Sequence, residues 1–181
     1  MIIFLLSTNL TKFLFKYQNH FFFNKMILKG EKMNIKIVEA QRCDKDFILF
    51  ANREIDDASF IKSSKLKDNI DKDIFENHKA VCLVAKDDDK PVGMVLFSKV
   101  YWADRGDGVY LSQAYVVPEY RNNGVFKRLI RTVMNYYENT QFITCLVAKK
   151  NLRMVSCMTK LQFEDESMIS YAKNKSEFGD F

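Results

Sequence analysis

The residues best spaced for chemistry lie in "YVVPEYRNNGVFKRLI", which runs from Tyr115 to Ile130. An apolar run ends at Val117, Pro118 stops a strand's ladder, and Gly124 precedes a helical pattern. Gly124 is free to take a positive φ or to let a ligand approach the backbone. The first N–H groups of the helix that follows have no intrahelical partner. With the positive end of the helix dipole they make an anion site, and Arg121 adds a charge-assisted donor. Such a turn at the carboxyl end of a strand suits a pyrophosphate. One Gly and one Arg fit a plain strand-to-helix connection as well, and on these residues alone the plain connection is favoured.

Other reactive side chains give less. Cys43, Cys82, Cys145 and Cys157 form no C-x-x-C pair, so no zinc site is expected. Their wide spacing reads as reduced, mostly buried thiols of a cytoplasmic protein. His20 and His78 lack ligand-like spacing, and His78 follows Asn77 near a helix end, where a solvated residue fits.

A chain of 181 residues with 48% hydrophobic and 14% aromatic content is long and apolar enough for one globular core. Most of the net charge of +5 sits in residues 1–32, where five lysines face Glu31 alone. The remainder is nearly balanced and gives no electrostatic case for nucleic acid.

Residues 1–32 also differ in kind. "MIIFLL" is short, nothing basic precedes it, and no small-residue cleavage pattern follows, so a signal peptide is not expected. Lys12, Lys16, Asn19 and His20 interrupt any membrane span. Alternating aromatic and basic residues leave an interfacial helix open. The favoured reading is an extension outside the fold, without stable membrane insertion, ahead of a domain covering 33–181.

The elements that must position the turn can be read in order. Residues 34–39 alternate as a first strand. Asp44 is the expected N-cap of a helix to about Ile55, and a second helix over 65–78 places Leu66, Ile70, Ile74 and Phe75 at helical spacing. Strands follow at 80–86 and 92–102, joined through "DDDKP" and closed by Pro91. After the loop "ADRGDG" come a strand at 109–117, the helix to about Glu138, a strand at 142–148, a short helix over 151–162 capped by Asn151, and a last strand at 163–173. On the helix after Gly124, the residues Phe126, Leu129, Ile130, Val133 and Tyr137 form a core face, with Arg128 and Arg131 opposite and solvated. This order predicts an α/β (α+β) domain with a central mixed sheet covered on both faces. Tyr101, Trp102, Asp104 and Asp107 are offered as a rim for a cationic substrate, against an equal reading as a plain hairpin end.

"VVPEYRNNGVFKRLI" resembles the acetyl-CoA-binding motif R/Q-x-x-G-x-G/A of the GCN5-related N-acetyltransferases (GNAT). Arg121, Asn122, Asn123 and Gly124 match it, while Phe126 replaces the last Gly/Ala. A second segment, "NLRMVSCMTKLQF", is similar to the family's N-x-x-A-x-x-x-Y-x-K-x-G-F; Asn151, Lys160 and Phe163 fit, and Met154, Met158 and Gln162 do not. The element order agrees over about 34–173. "VYLSQAYV" and "LVAKKN" look like segments of the diamine and polyamine acetyltransferases.

The resemblance implies a single GNAT-like domain with a mostly antiparallel sheet, acetyl-CoA as co-substrate, no metal, and direct transfer through a tetrahedral intermediate to the primary amine of a small molecule. It implies that backbone N–H groups of Asn122, Asn123, Gly124, Val125, Phe126 and Lys127 hold the pyrophosphate. The pantetheine would pair near Tyr115, Val116 and Val117, where the strand splays from Leu146 and Val147. Arg121 and Asn151 complete the implied cofactor set. Many family members have a Tyr acid where Met158 stands. Polyamine-type enzymes carry acidic residues where this chain has Ser112 and Gln113, which weakens a polyamine substrate. Ser112, Tyr115, Ser156 and Cys157, with Tyr110, remain as candidates to move a proton, each against a reading as packed structure. A protein or peptide N-acetyltransferase and a non-catalytic acyl-CoA-binding module are the alternatives. A homodimer is compatible with the reading.

Overall fold

A computed structural model describes residues 33–59 and 69–166. The extension 1–32 and Lys65 and Leu66 of the expected second helix lie outside the described residues.

Among the described residues five strands form one sheet in the order β1-β2-β3-β4-β5. They are β1 (Ile35–Glu39), β2 (Val81–Asp87), β3 (Lys90–Trp102), β4 (Gly106–Val116) and β5 (Phe142–Cys145). The first four pair antiparallel, and β4 pairs with β5 in parallel. The sheet is therefore mixed and mostly antiparallel, as expected. Its two faces are buried separately. Helix α1 (Lys45–Ser59) sets Ile48 and Ala51 on Cys82, Val84, Met94, Leu96 and Tyr115. Helix α2 (Val125–Met134) sets Val125, Leu129, Ile130 and Val133 on Leu83, Val95, Phe97, Val109 and Leu111. Short α3 (Leu152–Lys160) follows β5, and beyond it Leu161 and Phe163 pack onto the α2 side. Among the described residues no helix is long and apolar enough to cross a membrane.

Several boundaries differ from expectation for physical reasons. Asp44 does not cap α1. It ends a 3-10 turn (Arg42–Asp44), where its carboxylate accepts the Gln41 N–H at 3.0 Å and pairs with Lys86 at 2.8 Å. That buried carboxylate is satisfied twice; α1 still begins at Lys45, where an Asp44 cap would start it, and it runs to Ser59, beyond the expected end near Ile55. Ile70 and Ile74 are buried as expected, but Asp71–Glu76 is π-helical, with the Asn77 N–H reaching the Lys72 carbonyl at 2.8 Å. Pro91 lies inside β3 rather than in the turn, whose tip is Asp88 at φ 52°. The loop after β3 is only Ala103–Arg105, so β4 begins at Gly106.

Helix α2 stops at Met134, short of Glu138, because Tyr136 and Tyr137 turn their rings onto Phe97, with centroids 5.2 and 6.2 Å away. Arg128 is not simply solvated: it donates to the Ile35 carbonyl on the sheet's edge. Residues 163–166 belong to no strand, and the rest of the expected last strand lies outside the described residues. Thiol burial is also less general than expected: Cys82 is buried, Cys145 and Cys157 are half-buried, and Cys43 is exposed.

Candidate functional site

The site is built around an irregularity in β4. Opposite Leu96 stands Gln113 and opposite Phe97 stands Leu111, so Ser112 is an extra, unpaired residue. A bulge of this kind bends its strand and inverts the side-chain alternation beyond it. Val109 and Leu111 face α2, and past the bulge Ala114 and Val116 do so, while Tyr115 turns toward α1. The Ser112 hydroxyl donates to the Leu96 carbonyl at 3.0 Å and pins the bulge.

The bulge also ends the β4–β5 ladder. The parallel pairing runs from Gly108↔Phe142 to Leu111↔Cys145 and stops there. Leu146 and Val147, expected in the strand, lie beyond it, and Leu146 is 69% exposed. On its other side β4 stays paired with β3, and the Val117 N–H reaches the Val92 carbonyl at 2.9 Å. Since an antiparallel ladder alternates, the N–H and C=O groups of Ala114 and Val116 point toward the gap that β5 has left.

The turn at the end of β4 opens beside this gap. A 3-10 turn (Pro118–Tyr120) is tied down by the Tyr120 hydroxyl, 3.1 Å from an Asp87 carboxylate oxygen. The Arg121 Nε–H donates to the Val116 carbonyl at 2.8 Å, and its guanidinium lies 5.6 Å from the Tyr115 ring centre. The Arg121 side chain is thus a brace between turn and strand, more than the free anion donor that its type announced. Asn123 closes the turn on itself, from Nδ2 to the Arg121 carbonyl at 3.1 Å. Asn122 and Gly124 both have positive φ, 63° and 77°.

Gly124 is the N-cap of α2, and no side chain caps the helix. The first intrahelical bond runs from the Arg128 N–H to the Gly124 carbonyl at 3.0 Å. The N–H groups of Val125, Phe126 and Lys127 therefore have no intrahelical acceptor. A Cβ built on Gly124 meets no atom within 4 Å, so the mouth is open. Val125 is buried and Phe126 half-buried against the core, which leaves their N–H groups at the helix end; Lys127 is exposed. This arrangement can hold an anion.

The second predicted segment is placed less simply. Asn151 caps α3, its Oδ1 accepting the Met154 N–H at 3.1 Å, so that oxygen is already used. Met158 is buried, whereas Ser156 is exposed and Cys157 half-buried. On a helix Ser156 points about 200° and Cys157 about 100° away from Met158, so neither takes its place on that face. Tyr110 is half-buried, and burial raises its phenol pKa, with the Cys145 thiol adding to the shift.

Tyr115 is buried, its ring meeting Phe50 edge-on at 5.8 Å. Among the described residues no hydrogen bond of normal geometry reaches its hydroxyl, although the Arg121 side chain acts on it both by charge and as a donor. Burial pushes its pKa up, Glu54 adds to this, and Arg121 opposes it, so the phenol stays protonated at neutral pH. Of the proposed rim, Tyr101 is 69% exposed, Asp107 is paired with Lys99 at 3.5 Å, and Trp102 stacks on Phe142 at 4.9 Å. A cleft of about 290 Å³ lies elsewhere, at the start of β2, lined by Glu39, Arg42, His78 and Cys82 among others. The splay of β4 from Leu146 and Val147 was expected from the family resemblance, whereas the bulge behind it was missed; a single extra residue leaves no pattern to find.

Solved structures share this arrangement of elements. A possible acetyltransferase from Clostridium difficile 630 superposes with a TM-score of 0.67 at 22% identity, covering 77% of this chain and 97% of that one. The aminoglycoside N-acetyltransferase AAC(6')-Iy, in complex with CoA, gives 0.68 at 14% identity, covering 82% and 99%. A predicted acetyltransferase with acetyl-CoA from Clostridium acetobutylicum gives 0.60 at 13%, covering 76% and 96%. A search of curated proteins gave no match. The model of the Acetyltransferase (GNAT) family matches residues 49–163, which takes in most of α1, the whole of β2 to β5 and the turn at Gly124. With a match over more than half its length and the fold that goes with it, the chain belongs to the GNAT acetyltransferase family.

Proposed function

We propose that this protein transfers the acetyl group of acetyl-CoA to the primary amine of a small molecule. The observation that carries the reading is the open, uncapped turn at Gly124 lying beside the gap between β4 and β5. In this reading the pyrophosphate sits on the N–H groups of Val125, Phe126 and Lys127, with Asn122, Asn123 and Gly124 shaping the turn. The pantetheine amides pair with Ala114 and with the Val116 N–H in place of a strand, the Val116 carbonyl being held by Arg121. That coenzymes of this type are held by proteins of the same fold, in the structures with CoA and acetyl-CoA, supports it.

The chemistry then asks little of side chains. A neutral amine attacks the thioester carbonyl, and the developing oxyanion is met by a β4 backbone N–H. The amine must first lose its proton, because an ammonium has no lone pair. Thiolate leaves readily: an ordinary thiol pKa of about 8.5 lets water protonate it. A buried Met158 in place of a Tyr acid is compatible with that route.

The same Met158 favours a second reading, a module that binds acyl-CoA without transferring it. A protein or peptide amine is the other acceptor class consistent with the fold. We also place the protein in the cytoplasm, on its four unpaired cysteines. Release of free thiol from acetyl-CoA, over a panel of small amines and an acceptor peptide, separates the readings. Amine-dependent release with small amines is expected. Tight acetyl-CoA binding with no amine-dependent release would leave the binding module.

A further inference from the structure

The turn that leads into α2 does not hold its shape by local preference. Asn122 and Gly124 both sit in the left-handed region, at φ 63° and 77°, and Asn122 carries a Cβ that disfavours it. No side chain caps α2, so the direction of the N–H groups of Val125, Phe126 and Lys127 is set by the chain before them. That chain is tied down from outside. A first tie is the Tyr120 hydroxyl on Asp87, ahead of the strained residues. A second is Arg121, the residue that enters them. Its backbone is extended, at φ −70° and ψ 158°, and its carbonyl accepts the Asn123 side-chain amide at 3.1 Å.

Arg121 serves as a tie only when its long side chain is itself held, because one hydrogen bond offsets little of an arginine's rotamer entropy. The Nε–H bond to the Val116 carbonyl at 2.8 Å fixes one edge of the guanidinium. The Tyr115 ring fixes the rest: the guanidinium carbon lies over it, 5.6 Å from the ring centre and within cation–π range. The Arg121 side chain also acts as a donor on the Tyr115 hydroxyl. The ring is not free to move in its turn. Tyr115 is 7% exposed, belongs to the core on the α1 face with Ile48, Met94 and Leu96, and meets Phe50 of α1 edge-on at 5.8 Å.

We infer that Tyr115 is a positioning residue: seated on Phe50, it holds the Arg121 side chain, and through Arg121 it presets the turn whose N–H groups take the pyrophosphate. This rests on the proposed binding of acetyl-CoA at that turn and specifies what readies the site before the ligand arrives. The role asks for no contact between Tyr115 and the phosphates and for no proton transfer by its phenol. It does ask for an arginine. A planar guanidinium donates from Nε while it lies over a ring, and a lysine ammonium cannot reproduce that geometry.

Calorimetry of the full chain with acetyl-CoA tests this in a double-mutant cycle over Tyr115→Leu, Arg121→Met and the pair. Tyr115→Leu is expected to weaken binding by about two- to thirtyfold, the range of a cation–π contact. In the Arg121→Met background the same change is expected to have no further effect, since Tyr115 acts only through Arg121. A loss of packing alone would instead multiply with the loss of the arginine, and that result would overturn the inference. Arg121→Lys leaves the core intact and is expected to bind as weakly as Arg121→Met. Should Tyr115→Leu fail to fold, Arg121→Lys still decides, because wild-type affinity in it would overturn the inference. Absence of acetyl-CoA binding by the wild type would overturn the proposed function as well, whereas independent effects on a wild type that binds would overturn the inference alone.

Discussion

Replacing Gly124 with Val separates the folding role of the turn from its binding role. The residue sits at φ 77°, and a Cβ there meets no protein atom within 4 Å. The folded chain without ligand therefore feels only backbone strain, on the order of 1–2 kcal/mol for a residue with a Cβ in the left-handed region. In a domain of this size that lowers the melting temperature by roughly 2–8 °C. The bound state is affected differently. The new side chain would project at an uncapped helix end, where the pyrophosphate is proposed to sit. Losing one or two charge-assisted N–H bonds, at about 1.5–3 kcal/mol each, would weaken acetyl-CoA binding by about tenfold to more than a thousandfold. Isothermal calorimetry with acetyl-CoA reads the second effect, and a thermal melt reads the first. A lowered melting temperature with unchanged affinity would refute the phosphate role of the turn.

Other consequences are checked as simply. Gly108→Ala is expected to destabilise the fold by about 1–3 kcal/mol in urea, since its Cβ would stand 2.4 Å from the Phe142 ring that stacks on Trp102; a loss under about 0.5 kcal/mol would contradict the packing. Asn151→Ala removes the α3 cap and should cost about 1 kcal/mol, with Asn151→Asp restoring most of it; equal losses would show that the Oδ1 bond to Met154 is unimportant. Tyr136 is held neutral, with its pKa pushed up to about 12 by burial and by its bond to Glu39. A raised pKa means that the stabilisation is complete below pH 10 and is lost as pH rises toward 12; urea midpoints from pH 9 to 12 should therefore fall more steeply in the wild type than in Tyr136→Phe, and parallel curves would argue against the bond.

Much of this architecture was legible because it follows from period and punctuation. The strand runs, the apolar stripe of α2, the cap at Asn151 and the positive φ of Gly124 depend on residue type at a known place in an element. What was not legible depends on partners far away in sequence. Ser112 looked like a possible proton carrier, but its hydroxyl is committed to the Leu96 carbonyl across the ladder. Arg121 looked like a free phosphate donor, but Val116 and the Tyr115 ring hold it. The early end of β5 has the same origin, since it follows from a bulge in the neighbouring strand and from nothing in "FITCLVA" itself. Asn52, buried on α1, gave no signal at all, because an Asn on a helix reads as solvated until the sheet beneath it is known.

The central claim is that acetyl-CoA lies along the free edge of β4 and ends on the turn at Gly124. Backbone amide shifts of the labelled protein, recorded as acetyl-CoA is added, test it most directly. The account predicts the largest changes at Ala114, Val116, Gly124, Val125, Phe126 and Lys127. Changes centred on the cleft of Glu39, Arg42 and His78, with those six amides unmoved, would contradict it.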